Sequence, residues 1–279
     1  MEYQHAAVLA DLDGTLFNSQ GKVSPDDLAA ICEFIEGGGL FALATGREPH
    51  NVRDILPDLP INSPSIVLNG AAVYDFERHQ YVATRLMDNA AAYDLLEHCL
   101  QIGLPLDMQV YTTDGIFYAT PLETADPGFL RIHQPTSYKP LRALADCGWF
   151  KLVLLEREPG ALVPMREYLK EKGYSDRIGI VEGTTDIVKV GKYQELLPQN
   201  INKGSAASAL RALPVYAGRT IFAAGDYWND MELLKAVDVP CAPENAIDEI
   251  KAVCKYVLPS HNDGAIAALI REIIPSLPG

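Results

Sequence analysis

Ala6-Ala7-Val8-Leu9-Ala10-Asp11-Leu12-Asp13-Gly14-Thr15 is the stretch from which the rest of the chain is read. An unbroken apolar run stops at Asp11, as in a short strand covered on both faces by a parallel-sheet architecture. Strand alternation sets Asp11 and Asp13 on one side, and Gly14 permits a sharp turn after them. Two carboxylates therefore converge at one sheet edge. Their mutual repulsion demands a shared proton or a cation, and hard oxygen donors of this kind suit Mg²⁺. Alone, the motif also reads as an Asp-Gly turn closing a strand.

Working outward, Ser24-Pro25-Asp26-Asp27 carries an N-cap, a proline at the first helical position and acids in the first turn. The helix it opens is closed by Gly37-Gly38-Gly39. Leu40 to Ala44 is a second buried strand ending at Thr45-Gly46-Arg47, and Ser65 to Leu68 a third ending at Asn69-Gly70. Strands alternating with helices predict a doubly wound parallel sheet, which binds ligands at the strands' carboxyl ends. After about residue 75 the rhythm changes. A hairpin over 73–76 and 81–84, a helix over 89–101, strands around Asp114-Gly115, and a strand over 149–155 followed by a helix over 162–172 suggest a different unit. Further strands fit 178–182 and Ile187–Val190. Residues 80–194 read as an inserted α/β domain within a core of residues 1–79 and 195–279. The doubly wound rhythm resumes at Asn202, with a helix from Lys203, a strand over 220–224 ending at Gly225-Asp226, and short strands near Val239 and Tyr256.

Asp226 brings another carboxylate to a strand end, and Asp230 follows within the same loop. With Asn229 they also read as a helix cap with acids favouring the helix dipole. Thr45-Gly46 offers a hydroxyl and an amide where a phosphate oxygen fits, a weak signal by itself. Lys203, at a helix start that the dipole disfavours for a cation, hints at a fixed anionic partner. The aromatic pair Tyr227-Trp228 either walls a pocket or packs under its loop, and packing is the expectation.

Composition narrows the classes. The chain has 279 residues, 48% hydrophobic and 22% charged, enough apolar material for a full core. Its 37 acidic residues against 23 Lys and Arg give a formal charge of −14, which disfavours a nucleic-acid partner. No stretch approaches the roughly 18 apolar residues of a membrane span, and Met1-Glu2-Tyr3-Gln4-His5 lacks the basic start of a secretory signal, so a soluble cytoplasmic protein without a membrane partner is expected. Cys32, Cys99, Cys147, Cys241 and Cys254 are odd in number and lack a C-x-x-C pair; they read as buried small hydrophobes. His133, Tyr138 and Lys139, polar groups of the inserted segment, read as solvated surface.

In order and spacing, Asp11-x-Asp13-Gly14-Thr15, Thr45, Lys203 and Gly225-Asp226-x-x-Asn229-Asp230 resemble the four motifs of the haloacid dehalogenase superfamily. The chain resembles its Cof-type phosphatase branch, which places an α/β cap between the second and third motifs. Asn69-Gly70-Ala71, Asn245-Ala246 and Asn262-Asp263-Gly264 match as well, whereas Tyr227-Trp228 departs from the glycine and small or acidic residue of many relatives. The resemblance implies a Rossmann-type core with an inserted cap and an Mg²⁺-dependent phosphatase of a small phosphorylated metabolite: a sugar phosphate, polyol phosphate or phosphorylated cofactor. It implies that Asp11 attacks phosphorus to give an aspartyl-phosphate while Asp13 serves as acid and then base. Mg²⁺ would be held by the Asp11 carboxylate, the Asp13 backbone carbonyl and Asp226, with Asp230 acting through water or from behind the ligands. Thr45, Gly46, Lys203 and Asn229 would hold the phosphate oxygens. An acid two residues after the nucleophile suits poor leaving groups such as alkoxides, which need a proton. The rival readings are a phosphomutase with the same motifs and a non-catalytic regulatory binder on the same fold.

Overall fold

The computed structural model describes residues 2–125, 137–184 and 192–277. His133 and the expected strand Ile187–Val190 lie outside them. Two compact units are present: Met1–Thr84 with Asn202–Gly279, and Arg85–Ile201.

The first unit is built on five parallel strands: β1 (Ala6–Ala10), β2 (Leu40–Leu43), β12 (Thr220–Ala224), β13 (Val239–Pro243) and β14 (Tyr256–Leu258). Their order is β14-β13-β12-β1-β2, so β1 lies between the chain's second strand and one from its last third. β3 (Ser65–Val67) joins β2 through a parallel bridge between Ala44 and Ile66, then continues antiparallel into β4 (Ala72–Asp75) and β5 (Gln80–Thr84). All of β1 and β2 is buried, which their continuous apolar sequences require.

Local chemistry sets the helix that follows β1. Ser24 Oγ accepts from Asp27 N at 3.0 Å, Pro25 occupies the first turn, and Gly38 at φ +90° lies just past the end of Pro25–Glu36. Ala30, Ile31 and Phe34 face inward; full burial of an Ile or Phe side chain contributes roughly 1.5–3 kcal/mol. The buried Asp27 carboxylate accepts from Ala267 N at 2.8 Å, tying this helix to the short helix Ala265–Ala268. On another side Ala7, Leu9, Ala42 and Ala223 pack with Leu210, Tyr216 and Leu233.

The second unit holds β6 (Leu106–Thr112), β7 (Gly115–Tyr118), β8 (Ser137–Tyr138), β9 (Trp149–Glu156), β10 (Ile178–Thr184) and β11 (Lys192–Pro198), in the order β10-β11-β9-β6-β7-β8. Pairing is antiparallel except between β7 and β8. Leu95 and Leu96 of helix Asn89–Gln101 and Met165 and Leu169 of helix Leu162–Glu171 pack on Met108, Leu152 and Leu154. Between them on these strands alternate buried polar residues, where Lys151 Nζ meets Glu195 Oε1 at 3.0 Å and lies 4.7 Å from the Tyr111 ring centroid.

β11 is not anticipated from the sequence, and it runs across residue 194. Cys99 and Cys241 are buried as expected, but Cys147 and Cys254 are half-buried and Cys32 is exposed, because position 32 falls on the outer side of its helix. Tyr138 is exposed, while Lys139 Nζ lies 3.8 Å from the Phe117 ring centroid. No described helix is long and apolar enough to cross a membrane.

Candidate active site

Asp11 follows β1 directly, its amide donating to Ala224 O at 2.9 Å and so continuing the pairing with β12 for one residue. The chain then turns tightly through Leu12–Leu16, with Gly14 at φ +80° and Leu16 N donating back to Asp11 O at 3.2 Å. Gly14 is required twice over. An L side chain is strained at that φ, and a Cβ there would strike the Asp226 carboxylate. The turn thus wraps Asp226, which also accepts from Thr15 Oγ1 at 3.1 Å.

Asp226 and Asp230 come from the loop after β12. The Asp230 carboxylate folds back on its own loop, with Oδ2 accepting from Asp226 N at 3.0 Å and Tyr227 N at 3.3 Å. Gly225 makes room for it, because a Cβ at 225 would collide with the Asp230 side chain. Asp230 Oδ1 receives Lys203 Nζ at 2.6 Å, and the same ammonium donates to Asp11 Oδ1 at 2.8 Å. Lys203 and Asp230 are wholly buried and Asp11 nearly so. Position 203 starts its helix behind an Asn202 cap that accepts from Ser205 N.

Carboxylate oxygens of Asp11, Asp226 and Asp230 lie within 4.8 Å of one another. Burial, then repulsion from Asp230, lifts the Asp11 pKa well above the usual carboxylate range against the pull of Lys203. The same causes, burial first and Asp230 second, raise Asp226 to about 7. Burial would lower the pKa of Lys203, but Asp11 and Asp230 outweigh it and raise the pKa, so the lysine stays protonated. Three carboxylates thus face one ammonium. A divalent cation with a preference for oxygen fits both the remaining charge and the donor set.

Asp13 stands apart from this cluster. Its carboxylate accepts two hydrogen bonds from Arg47, Nε to Oδ2 at 2.9 Å and Nη2 to Oδ1 at 2.7 Å, while Arg47 Nη1 donates to Asn51 Oδ1 at 2.8 Å. Thr45 is buried, and its Oγ1 accepts from Arg47 N at 3.1 Å. Gly46 packs against the Asn69 amide, and Asn69 Oδ1 in turn accepts from Asn229 Nδ2 at 3.4 Å. Asn69 has φ +53°, a conformation that asparagine tolerates better than most residues, held by its amide donating to Thr45 O at 3.1 Å. Gly70 has no space for a side chain because Asn202 O and Lys203 N lie against it. Thr45, Gly46 and Asn229 are thus connected through Asn69, whereas Lys203 connects to Asp11 and Asp230.

The sequence reading does not single out Arg47, Thr15 or Gly225 for the site, although Arg47 directly follows Thr45-Gly46. Asn245 pins the turn after β1, since its Nδ2 donates to Gly14 O at 2.8 Å and its Oδ1 accepts from His261 N at 2.9 Å. Asn262 Oδ1 accepts from Ser19 N at 2.9 Å. The expectation that Tyr227 and Trp228 pack under their loop is corrected, because Asp230 holds the loop from beneath and both rings face solvent, 42% and 51% exposed.

A family model described as haloacid dehalogenase-like hydrolase matches residues 8–270. The 5-amino-6-(5-phospho-D-ribitylamino)uracil phosphatase of Bacillus subtilis is 26% identical, over 96% of this chain and 97% of that protein. An HMP-PP phosphatase of Serratia proteamaculans is 27% identical, over 87% and 85% of the two chains. A Thermotoga maritima protein solved by X-ray crystallography shares the fold with a TM-score of 0.80 at 23% identity, covering 95% of this chain and 96% of its own.

Proposed function

The chain belongs to the haloacid dehalogenase-like hydrolases and is a phosphatase acting on small phosphorylated metabolites, and on that premise we propose that it works with Mg²⁺ through a phosphorylated Asp11. The observation that carries this reading is the wholly buried Lys203 ammonium shared by Asp11 and Asp230, with Asp226 alongside. A lysine in that position orients the Asp11 carboxylate and pulls it toward the ionised form that a nucleophile requires. Asp11, Asp226 and Asp230 would hold the metal, with the Asp13 carbonyl as a further donor. Bound there, Mg²⁺ would supply positive charge to the phosphoryl oxygens.

In this reading one Asp11 oxygen forms a bond to phosphorus as the ester oxygen departs, and Asp13 gives that oxygen a proton. Asp13, now ionised, then takes a proton from the water that attacks the aspartyl-phosphate, releasing inorganic phosphate and restoring the Asp11 carboxylate and the Asp13 acid. Asn229, Thr45, Gly46 and Lys203 steady the phosphoryl oxygens as charge shifts onto them. Residues Arg85–Ile201 serve as the cap that reads the organic part of the ester.

One related protein carries a name that makes its substrate a phosphorylated aminouracil, which puts ring-bearing metabolites in a substrate panel. The direct test is phosphate release from several dozen phosphorylated metabolites with Mg²⁺ and with EDTA, followed by a single turnover in H₂¹⁸O. The reading expects release only with the metal and ¹⁸O in the phosphate but none in Asp11 after one turnover, because water attacks phosphorus. Turnover in EDTA would overturn the metal assignment, and ¹⁸O retained in Asp11 would overturn the route of water. An isomerised product in place of free phosphate would identify a mutase.

A further inference from the structure

Tyr227 and Trp228 lie between Asp226 and Asn229, and their exposure does not come from a loose loop. Asp230 Oδ2 takes the amides of both Asp226 and Tyr227, Asp230 N donates to Tyr227 O at 2.9 Å, and Ile247 N donates to Asp226 O at 3.2 Å. The buried carboxylate that fixes this backbone is the one that receives Lys203. Two large rings are therefore held in water by a rigid frame, at the carboxyl edge of β12, next to the residues that hold metal and phosphate in the proposed mechanism.

In the proposed mechanism Asn229 holds a phosphoryl oxygen, and Trp228 directly precedes it in the same short turn. Aromatic side chains stack on flat rings and give little to a flexible polyol chain. A membrane surface is a poor match, because the chain's formal charge of −14 is repelled by anionic lipid. A second copy of the chain is equally poor, because two side chains are far smaller than the roughly 800 Å² per partner of a stable interface.

We propose that Trp228, with Tyr227 beside it, is a specificity-determining platform that stacks on a planar heteroaromatic ring of the substrate, so that the preferred phosphate esters are ring-bearing ones. This rests on the phosphatase reading, and two kinds of measurement separate the two claims.

The first is steady-state kinetics with Mg²⁺ on ring-bearing esters (uridine 5′-monophosphate, thiamine monophosphate, pyridoxine 5′-phosphate, flavin mononucleotide) and ring-free ones (glycerol 3-phosphate, glucose 6-phosphate). Loss of stacking on an aromatic side chain corresponds to about 5- to 150-fold in affinity. For the best ring-bearing ester, Trp228→Ala should raise KM by a factor in that range, at least about fivefold beyond any change for glycerol 3-phosphate, and Trp228→Phe should restore most of it. Equal changes on both classes, or no preference for ring-bearing esters in the unaltered protein, would overturn the platform.

The second measurement does not need turnover. The chain has 2 tryptophans, and Trp149 is buried with its Nε1 donating to Leu144 O, so solvent-accessible fluorescence belongs to Trp228. Titration with the ring-bearing alcohols uridine, thiamine and pyridoxine should quench it saturably for at least one, and Trp228→Phe should abolish that signal. Quenching without hydrolysis of any ester would keep the platform and overturn the phosphatase reading. Hydrolysis of ring-bearing esters without quenching by any of these alcohols would overturn the platform alone.

Discussion

Arg47 grips Asp13 with both arms of its guanidinium, at 2.9 and 2.7 Å, and is itself braced by Asn51. A fork of this kind fixes a carboxylate in direction as well as position, which a lysine ammonium cannot do. Arg47 thus sets where Asp13 rests before it meets a substrate. Arg47→Ala is expected to lower kcat/KM on alkyl phosphates by about 10²-fold, the loss that a misplaced catalytic group brings. Arg47→Lys should recover little of it. Wild-type kinetics in the Lys variant would show that the fork has no part in placing Asp13.

Replacement of the two acids should separate their roles. On the proposed mechanism Asp11→Asn should abolish essentially all turnover. Asp13→Asn should be nearly as severe on alkyl phosphates but milder on p-nitrophenyl phosphate, whose leaving group needs little help from a proton. Comparing kcat on the two ester types provides the check, and equal losses would remove Asp13 from the role of acid.

Stability should reveal the acidic cluster without any substrate. Burial and then Asp230 raise Asp226 to about 7, whereas in the unfolded chain it ionises near its ordinary value of about 4. Between those values the folded metal-free protein keeps a proton that the unfolded chain has lost. Its stability therefore falls as pH rises from about 4 to about 7, on the order of a few kcal/mol. Calorimetry in EDTA at pH 5 and pH 7.5 should show that loss, and saturating Mg²⁺ should cancel it by favouring the ionised form. Identical pH dependence with and without Mg²⁺ would contradict metal binding at this cluster.

Lys203→Met should be strongly destabilising, because it leaves Asp11 and Asp230 buried without their shared ammonium. Breaking one partner out of a buried ion pair costs about 3–5 kcal/mol. In a chain of this size that lowers Tm by about 10 °C or more. Thermal denaturation with and without Mg²⁺ provides the measurement, and the cation should recover part of the loss by replacing the missing charge. A Tm within a degree or two of wild type would mean that the ammonium does not carry the weight given to it.

Much of this is legible in residue order. The apolar run before Asp11 could be little other than a buried strand, and Ser24-Pro25 with Asp27 specifies a helix start by chemistry internal to the segment. β11 escapes because its Gln194 and Glu195 look like exposed loop residues, yet both are buried through partners on other strands: Lys151 for Glu195 and Glu182 for Gln194. A polar residue satisfied across a sheet leaves no mark in its own neighbourhood. Arg47 is hidden for the same reason, since its carboxylate partner lies 34 positions earlier. Tyr227 and Trp228 read as packed because apolar rings usually are, and the sequence does not announce that Asp230 occupies the underside of their loop.

The placement of β1 between β2 and β12 has a consequence for the protein's birth on the ribosome. Asp11 is made well before its ammonium partner, which lies 192 positions later, and Asp230 emerges later still. Until that length of chain has been synthesised, the first strand has one flank unpaired, and the carboxylate at its end has neither its lysine nor its neighbouring acids. One late event, the docking of β12, therefore gives β1 its second neighbour and brings Asp226 and Asp230 to Asp11, while β13 and β14 extend the sheet beyond it.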